Sequence, residues 1–138
     1  MNKIKNILLY LWQLPQNLLG LGLVAFYKPE RKYVLDNGVE IHFATRMRGG
    51  ISLGKYSLVN TIHYRNELKD SLKRDTVRHE AIGHSLQSRL LGWFYLLVIG
   101  IPSITWAGIH RIQKVADKWS YYDFYTEKWA DKIAGVER

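Results

Sequence analysis

Apolar residues dominate the start of the chain. The stretch from Ile7 to Tyr27 is almost wholly apolar, but Pro15 and a few amide side chains interrupt it. Proline has no amide hydrogen and clashes with the preceding helical turn, so we expect it to kink or divide a helix here. Lys3 and Lys5 precede the stretch as in a signal peptide, although no small-residue cleavage site clearly follows. The pattern therefore favours a retained membrane anchor or interfacial helix, and a plain core helix is the alternative.

The pattern changes to that of strands between residues 33 and 64. Apolar and polar residues alternate from Val39 to Thr45, which is the period of a half-buried strand. Ile51 to Asn60 supplies a second strand-like run after Gly49-Gly50, and a further short strand is expected near Tyr33 to Leu35. Asp36-Asn37-Gly38 suits the turn that follows this short strand. We therefore predict a hairpin or a small antiparallel β-sheet.

A helical pattern begins near Asp70. Asp70 or Asp75 is a suitable N-terminal cap. Apolar residues then recur at helical spacing, at Leu72, Val77, Ile82, Leu86, Leu90 and Leu91. The chain is almost wholly apolar from Leu90 to Ile109, and about 20 such residues can span a bilayer as a helix. Because Pro102 lies in the middle of this stretch, an unbroken helix is disfavoured, and Ser103 is expected to cap a second one.

The C-terminal part predicts one more helix. Ser120 and Asp123 have the spacing of a capping box, with the acid three residues after the serine. A helix from about Tyr121 to Ala134 is expected to follow, and Gly135 is suitably placed to end it. The 138 residues suit one domain. The segments together predict a single α+β domain, residues 1–138, with a small antiparallel β-sheet, a long central helix, an apolar helical hairpin and a C-terminal helix.

Composition narrows the classes of function. The net charge is +8, from 20 basic and 12 acidic residues. Basic proteins often bind nucleic acid or anionic lipid. Here the basic residues are scattered, they accompany two very apolar segments, and no zinc-finger, RNP or helix-turn-helix pattern is present. Membrane lipid is therefore the expected partner rather than nucleic acid. The absence of cysteine excludes disulfides, cysteine-based zinc sites and a cysteine nucleophile.

The clearest chemical signal is the segment His79-Glu80-Ala81-Ile82-Gly83-His84. Two histidines, with a glutamate directly after the first, are the elements of a zincin helix. In that chemistry the imidazoles of His79 and His84 hold Zn²⁺, while Glu80 takes a proton from the attacking water and passes it on. Glu80 is therefore the predicted general base and not a ligand.

The spacing of the two histidines exceeds the common pattern by one residue. Residues four apart on an α-helix lie roughly 40° apart around its axis, whereas His79 and His84 are five apart, or roughly 140°. A π-bulge would return them to one side, because it adds a residue to one turn, and Gly83 makes such a distortion less costly. A helix that ends or breaks near Gly83 is the alternative. If neither occurs, the histidines are splayed and cannot easily share one ion.

These motifs resemble those of known metallopeptidases. The first resembles the motif of the TldD-type metallopeptidases, and Glu127-Lys-Trp-Ala-Asp131 resembles the Glu-x-x-Ala-Asp element of the gluzincins. Over roughly the C-terminal two thirds, the arrangement is similar to small uncharacterised bacterial proteins with a His-Glu-x-Gly-His signature. The resemblance implies peptide-bond hydrolysis, with Glu127 as the third zinc ligand and Asp131 as the support of a zinc-binding histidine.

The second motif is also reasonable on physical grounds. Asp123, Glu127 and Asp131 are four residues apart, so they share one face of a helix. One carboxylate can complete a His₂Glu zinc site, and a second can accept the free N–H of a ligand histidine and fix its tautomer. A solvated acidic stripe is the alternative. The remaining histidines are isolated in the sequence: His42, His63 and His110. Of these, His63 is the best substitute ligand if Glu127 is not one.

A metal site also constrains the topology. If Leu90 to Ile109 crossed a bilayer, Glu127 would emerge on the far side from both histidines, across about 30 Å of hydrocarbon. A zinc ligand lies only about 2 Å from its ion. We therefore expect a helical hairpin that turns at Gly100 to Ser103 and returns the chain to its starting side. Basic residues flank both apolar stretches, so charge is compatible with either orientation. A hairpin with both ends on one cytoplasmic side would explain the basic residues at its ends, and we expect a membrane-associated protein whose site faces the cytoplasm.

The sequence as a whole predicts zinc-dependent hydrolysis of a peptide or protein substrate at or near a membrane. The strand edge from Ile51 to Asn60 is expected to hold the peptide in an extended conformation. The rival interpretation is a non-catalytic, membrane-associated protein that uses the same helix for structure or partner binding, with a degenerate or absent metal site. A third interpretation is a basic lipid-surface protein with no site.

Overall fold

A computed structural model describes residues 2–138, which form seven helices and a four-stranded sheet. The helices are α1 (Lys3–Trp12), α2 (Leu14–Tyr27), α3 (Leu68–Ser71), α4 (Asp75–Phe94), α5 (Leu96–His110), α6 (Gln113–Lys118) and α7 (Tyr125–Ala134). The strands are β1 (Arg31–Val34), β2 (Glu40–Ala44), β3 (Gly50–Leu53) and β4 (Tyr56–Asn60). The predicted α+β class is confirmed.

The sheet has the strand order β1-β2-β4-β3. β1 pairs antiparallel with β2, and β3 with β4, but β2 and β4 run parallel. The expectation of a wholly antiparallel sheet is therefore wrong for one of the strand pairs. The reason is that the run from Ile51 to Asn60 is two strands. It folds back at Gly54, whose φ of +64° favours glycine, so that β4 lies inside the sheet and β3 forms an edge.

The main core lies between the sheet and the first half of α4. Alternate residues of β2, Ile41 and Phe43, are fully buried with Val59 of β4 against Val77 and Ala81 of α4. Full burial of a side chain as large as Phe43 or Ile41 stabilises a fold by about 1.5–3 kcal/mol. The alternation of buried residues in β2 therefore places one face of α4 against the sheet. As a result, the turn of α4 that follows Arg78 lies against the edge strand β3.

Proline divides the N-terminal apolar stretch, as predicted. α1 and α2 are bent by 90° at a break next to Gln13, and Pro15 lies in the first turn of α2. Gln16 is fully buried, and its amide donates to Ser88 Oγ at 2.9 Å and to the carbonyl of Gly92 at 2.8 Å. Because a buried amide is costly without hydrogen bonds, these contacts attach α2 to the second half of α4.

The second bend lies earlier than the sequence suggests. α4 and α5 are bent by 119° at Tyr95, not at Gly100 to Ser103. Gly92 has a φ of +53°, and the ring of Trp12 lies where its side chain would be, so the end of α4 is specific for glycine. Pro102 follows a π-helical turn and lies at the start of the regular part of α5, where a missing N–H is tolerated. The chain still returns, because Ser103 reaches α7.

The capping box at the C-terminal end is present but begins a different element. The Ser120 side chain accepts from the N–H of Tyr122, and Asp123 accepts from the N–H of Ser120. These contacts start a 3₁₀ turn, Tyr121–Asp123, and α7 begins only at Tyr125. Gly135 ends α7 with a φ of +70°, as predicted. Asp123 therefore lies outside the helix that carries Glu127.

Within residues 2–138, no individual helix has both the length and the apolar character needed to cross a membrane. Two bent pairs, α1 with α2 and α4 with α5, meet that criterion jointly by length and composition.

The bend after α4 generates a test of stability. Replacing Gly92 with alanine should lower the free energy of unfolding by about 1–3 kcal/mol, because the backbone is strained for an L-residue and Trp12 occupies the space. Gly108→Ala in α5 is the matched control, since nothing lies near its position, and it should be neutral or stabilising by up to about 1 kcal/mol. Urea unfolding followed by circular dichroism measures both. Equal midpoints for the two variants would contradict this account of the bend.

Candidate metal centre

The two motif histidines lie on one π-helical turn. His79–His84 forms this turn inside α4, which continues as a regular helix afterwards. The extra residue in the turn brings both imidazoles to the same side, with ring centroids 4.6 Å apart. The predicted π-bulge is confirmed, and the alternatives of a broken helix or splayed histidines are not observed.

Gly83 explains why α7 can lie against this turn. A Cβ at Gly83 would overlap the backbone of Ala130, so only glycine allows the two helices to approach this closely. The close approach brings the first turns of α7 over the histidines. Glu127 and Asp131 are both buried there, so the acidic face is not a solvated stripe. The two carboxylates are separated by one helical turn and contact different atoms of the π-helical segment.

Glu127 joins the two histidines. Its Oε2 lies 3.1 Å from Nε2 of His79 and 2.7 Å from Nε2 of His84. The potential ligand atoms of His79, Glu80 and His84 lie within 4.8 Å of one another, and all three residues are buried. This group could hold a metal ion, because imidazole nitrogens and carboxylate oxygens are the ligands of His- and Glu-containing zinc sites.

The outer nitrogen of each imidazole also has a partner. Nδ1 of His79 lies 2.7 Å from Asp131 Oδ1, and Nδ1 of His84 lies 2.7 Å from Gln87 Oε1. Arg138 Nε contacts the other oxygen of Asp131 at 3.0 Å. Asp131 therefore lies where the sequence predicts a supporting carboxylate. Gln87 holds the second motif histidine in the same way.

The second oxygen of Glu127 is held from two further directions. Tyr121 Oη donates to Oε1 at 2.8 Å, and Ser103 Oγ donates to the same atom. Ser103 was expected to cap a helix, but it lies inside α5 and does not cap it. Tyr121 was not expected in the site. No local signal indicates either contact, because Ser103 is 24 residues and Tyr121 is 6 residues from Glu127. The carboxylate thus has a fixed orientation, with one oxygen on the histidines and one on hydroxyl groups.

Glu80 is buried beside this cluster with one unpaired oxygen. Its Oε2 has no hydrogen-bond partner among the described residues, and such an atom is rare in a folded protein. Gly50 of the edge strand lies directly against it, since a Cβ there would be 2.7 Å from Glu80 Cγ. Burial raises the pKa of Glu80, and the nearby His84 and His79 offset part of that increase. A carboxyl group with a raised pKa is suited to accept and return a proton near neutral pH.

The charged groups of the cluster shift one another's pKa values. Burial lowers the pKa of His84, but the hydrogen bond to Glu127 and the charge of Glu80 outweigh it and raise that pKa to about 9. The pKa of His79 is raised as well, since burial is again outweighed by Glu127 and Glu80. For Glu127, burial opposes ionisation, yet the hydrogen bonds with both histidines lower its pKa. Without a metal, the cluster therefore favours imidazolium groups on an ionised carboxylate.

The other histidines lie apart from this cluster. His42 contacts Glu40 at 3.0 Å, and His110 contacts the carbonyl of Trp119 at 2.8 Å. His63 accepts from Arg74 and lies on the wall of the cavity described next, but it is not among the converging ligand atoms.

The cluster opens into a cavity of about 610 Å³. Its walls are the edge strand β3 with the loop before it, the π-helical turn of α4, and one face of α5. A cavity of this size has the typical volume of a ligand site. His79, Glu80, His84 and Glu127 all line it, so the buried polar cluster is accessible to a ligand that occupies the cavity.

Comparisons with known proteins identify no relative. No protein-family model matches the chain, and no significant match is found among curated proteins or solved structures. The geometry of the cluster and cavity therefore carries the inference of function.

The raised histidine pKa values make metal binding dependent on pH. Both histidines must lose a proton to bind a metal through Nε2, so metal and protons compete. Since the pKa of His84 is about 9 and that of His79 is also raised, affinity for Zn²⁺ should rise with pH through the neutral range. The expected change is about tenfold per pH unit for each proton displaced. Competition titration with a chromophoric chelator measures it, and an affinity independent of pH would contradict binding through these nitrogens.

Proposed function

We propose that this protein is a zinc-dependent peptidase that acts at a membrane surface. The observation that carries the proposal is the unpaired, buried Oε2 of Glu80 beside two imidazoles that converge on one carboxylate. A hydrolytic zinc site needs such a group near, but not on, the metal. The motif resemblance to the gluzincins supports the same assignment for Glu80.

The residues present fit a zinc ion. His79, His84 and Glu127 would hold it, because Oε2 of Glu127 contacts both Nε2 atoms, whereas Glu80 has an oxygen free. Three protein ligands of this kind leave one position open, as catalytic zinc sites require. Asp131 accepts from Nδ1–H of His79, which directs Nε2 towards the centre.

Gln87 Oε1 accepts from Nδ1–H of His84 and so directs Nε2 of His84 towards the same centre. An imidazole whose Nδ1–H is held in this way presents the lone pair of Nε2 to a metal. Both imidazoles therefore have a partner that selects the tautomer needed for binding.

The chemistry follows from the position of Glu80. Zinc, when bound, would polarise the peptide carbonyl and lower the pKa of water. Glu80 Oε2 accepts the proton of the attacking water and then delivers it to the nitrogen of the leaving amine. Burial raises the pKa of Glu80, which makes its carboxylate a better proton acceptor than an exposed one. Tyr121 and Ser103 fix the carboxylate of Glu127 throughout, since both donate to its Oε1.

The edge strand supports an extended peptide as the substrate. β3 pairs with β4 on one side only, and its other edge borders the cavity beside Glu80. An extended chain can add to such an edge through backbone hydrogen bonds, which are independent of the peptide's sequence. The edge is β3 alone and not the whole run from Ile51 to Asn60, because β4 lies between β2 and β3.

A continuous apolar surface supports the membrane location. α1, the end of α4 and the start of α5 expose large apolar side chains, namely Ile4, Ile7, Leu8, Leu11, Trp12, Leu90, Trp93, Phe94, Leu97 and Ile101. These helices are adjacent, because Trp12 Nε1 donates to the carbonyl of Arg89 at 2.9 Å and Trp93 Nε1 to that of Leu11 at 2.8 Å. Soluble monomers rarely expose so many clustered apolar side chains.

Charge favours an anionic lipid at this surface. No acidic residue occurs from Asn2 to Pro29 or from Ala81 to Ala116, whereas both segments contain lysine or arginine. Basic residues beside an inserted apolar surface bind the anionic lipids that are concentrated on cytoplasmic leaflets. We therefore place the site on the cytoplasmic side as part of the proposal.

One observation favours the non-catalytic alternative. The cluster is well paired without any metal, since Glu127 bridges both histidines and Asp131 pairs with His79 and Arg138. Such a network would attach α7 to α4 in a purely structural protein. A purely structural role does not account for the unpaired oxygen of Glu80, and we therefore prefer the peptidase to the non-catalytic alternative.

Metal content and hydrolysis test the proposal together. The full-length protein should bind about one zinc per chain, and His84→Ala and Glu127→Ala should lose it. Glu80→Gln should retain zinc but hydrolyse a generic peptide substrate such as casein at least about 100-fold more slowly, because a general base contributes that much. His42→Ala is the matched control and should change neither property, as His42 pairs with Glu40 on the sheet and lies outside the cluster. A zinc-free wild type after metal loading would exclude the peptidase.

Vesicle flotation tests the membrane surface. Serine at both Leu97 and Ile101, which are 68% and 57% exposed, should reduce binding to vesicles with anionic lipid at least about tenfold, because less apolar area is buried. Ile62→Ser is the control, since Ile62 is 69% exposed but lies in the turn after β4. Neutral vesicles should bind less protein than anionic ones. If both variants float equally with the wild type, this surface does not contact the lipid.

A further inference from the structure

The charged residues on the cavity wall are divided by sign. Among the described residues that line it, the acidic ones are Glu80 and Glu127, both buried in the metal cluster. The basic ones are arginines away from that cluster: Arg46, Arg48 and Arg111. His63 also lines the wall, and burial followed by the charges of Arg74 and Arg65 lowers its pKa. Outside the reaction centre, the cavity therefore presents only positive charge to a substrate.

Two of the three arginines have no side-chain partner among the described residues. Arg46 donates to the carbonyl of Phe26 at 3.2 Å and lies over the Phe26 ring, which fixes its guanidinium group. By contrast, the side chains of Arg48 and Arg111 make no ion pair and no hydrogen bond within residues 2–138. Both are exposed at the cavity. Their donors are free to bind a ligand without breaking an existing contact.

Both unpaired arginines are within reach of a bound peptide. Arg48 is two residues before Gly50, or about 7 Å along an extended chain, and Gly50 lies directly against Glu80. Arg111 follows the end of α5, eight residues after Ser103, which is about 12 Å along a helix. Ser103 and Arg111 both line the cavity. A peptide of several residues that passes Glu80 would therefore meet one or both guanidinium groups.

We propose that the cavity selects peptides that carry carboxylate groups within a few residues of the bond to be cleaved, bound by Arg48 and Arg111. The guanidinium group binds carboxylates through paired hydrogen bonds, which lysine cannot form. No acidic residue of the wall competes for these arginines. The inference rests on the proposed peptidase function and adds the class of substrate. A lipid headgroup is less favoured because the arginines line the cavity that holds Glu80.

A binding assay separates this inference from catalysis. Fluorescein-labelled peptides of alanine, serine and leucine, blocked at both ends, are compared in versions with glutamate, glutamine or lysine at the same positions. A glutamine peptide with a free C-terminal carboxylate distinguishes a terminal from a side-chain carboxylate. Binding is measured by anisotropy on full-length Glu80→Gln, which does not consume the probe, with and without added zinc. The glutamate version should bind about tenfold more tightly than the glutamine version, and the lysine version more weakly.

The charge preference should disappear when both arginines are replaced by glutamine. The matched control replaces Lys69 and Lys73 by glutamine, because this removes the same charge from exposed residues of α3 and its end that do not line the cavity. The control should keep the full preference for glutamate. Equal binding of the glutamate and glutamine peptides to the parent protein would overturn the inference, as would an equal loss of preference in the lysine control.

The arginine variant also distinguishes binding of peptide carboxylates from binding of lipid headgroups. If the arginine variant loses binding to anionic vesicles but keeps its preference for the glutamate peptide, the arginines bind lipid headgroups and the inference is wrong. The proposed peptidase function is tested separately. If it is wrong, the wild type shows no zinc-dependent cleavage of the glutamine peptide. A peptidase that cleaves this peptide but shows no charge preference in binding retains its proposed function without the proposed selectivity.

Discussion

The structure depends on the burial of one carboxylate. Glu127 is 1% exposed and ionised, and a buried charge is tolerated only when it is fully paired. Two imidazoles satisfy one of its oxygens, and two hydroxyl groups satisfy the other. These partners come from α4, α5 and the turn before α7. The requirement to pair this carboxylate therefore determines where three otherwise separate elements meet.

The π-helical turn is the local feature that makes this pairing possible. A regular helix would direct His79 and His84 to different sides, and Glu127 would then contact at most one of them. The inserted residue brings both to one side, and Gly83 leaves the space that the backbone of Ala130 requires. A π-turn is less favourable than a regular helix and is common at functional sites. Here the strain of the turn is offset by a cluster that both orders the fold and provides ligand atoms.

The candidate metal centre and the exposed apolar surface both include residues of α5. α5 contributes Ser103 to the cluster, and Arg111, directly after its end, lines the cavity wall, while Leu97 and Ile101 of the same helix are exposed. The bend at Tyr95 produces this arrangement, since it returns the chain over α4 instead of continuing its direction. One helix therefore links the proposed chemistry, the proposed substrate selectivity and the proposed lipid contact. A bend at Gly100, as the sequence suggests, would have placed these residues differently.

Local periodicity was sufficient for much of the fold. It determined the strands around Glu40–Ala44, the division of the N-terminal helix just before Pro15, the need for a π-bulge between His79 and His84, and the glycine that ends α7, because each depends on neighbours within a few residues. The pairing of β2 with β4, the bend at Tyr95, and the contacts of Ser103 and Tyr121 with Glu127 were decided only by tertiary structure. Those contacts join distant segments through packing and buried hydrogen bonds, for which the sequence has no local signal.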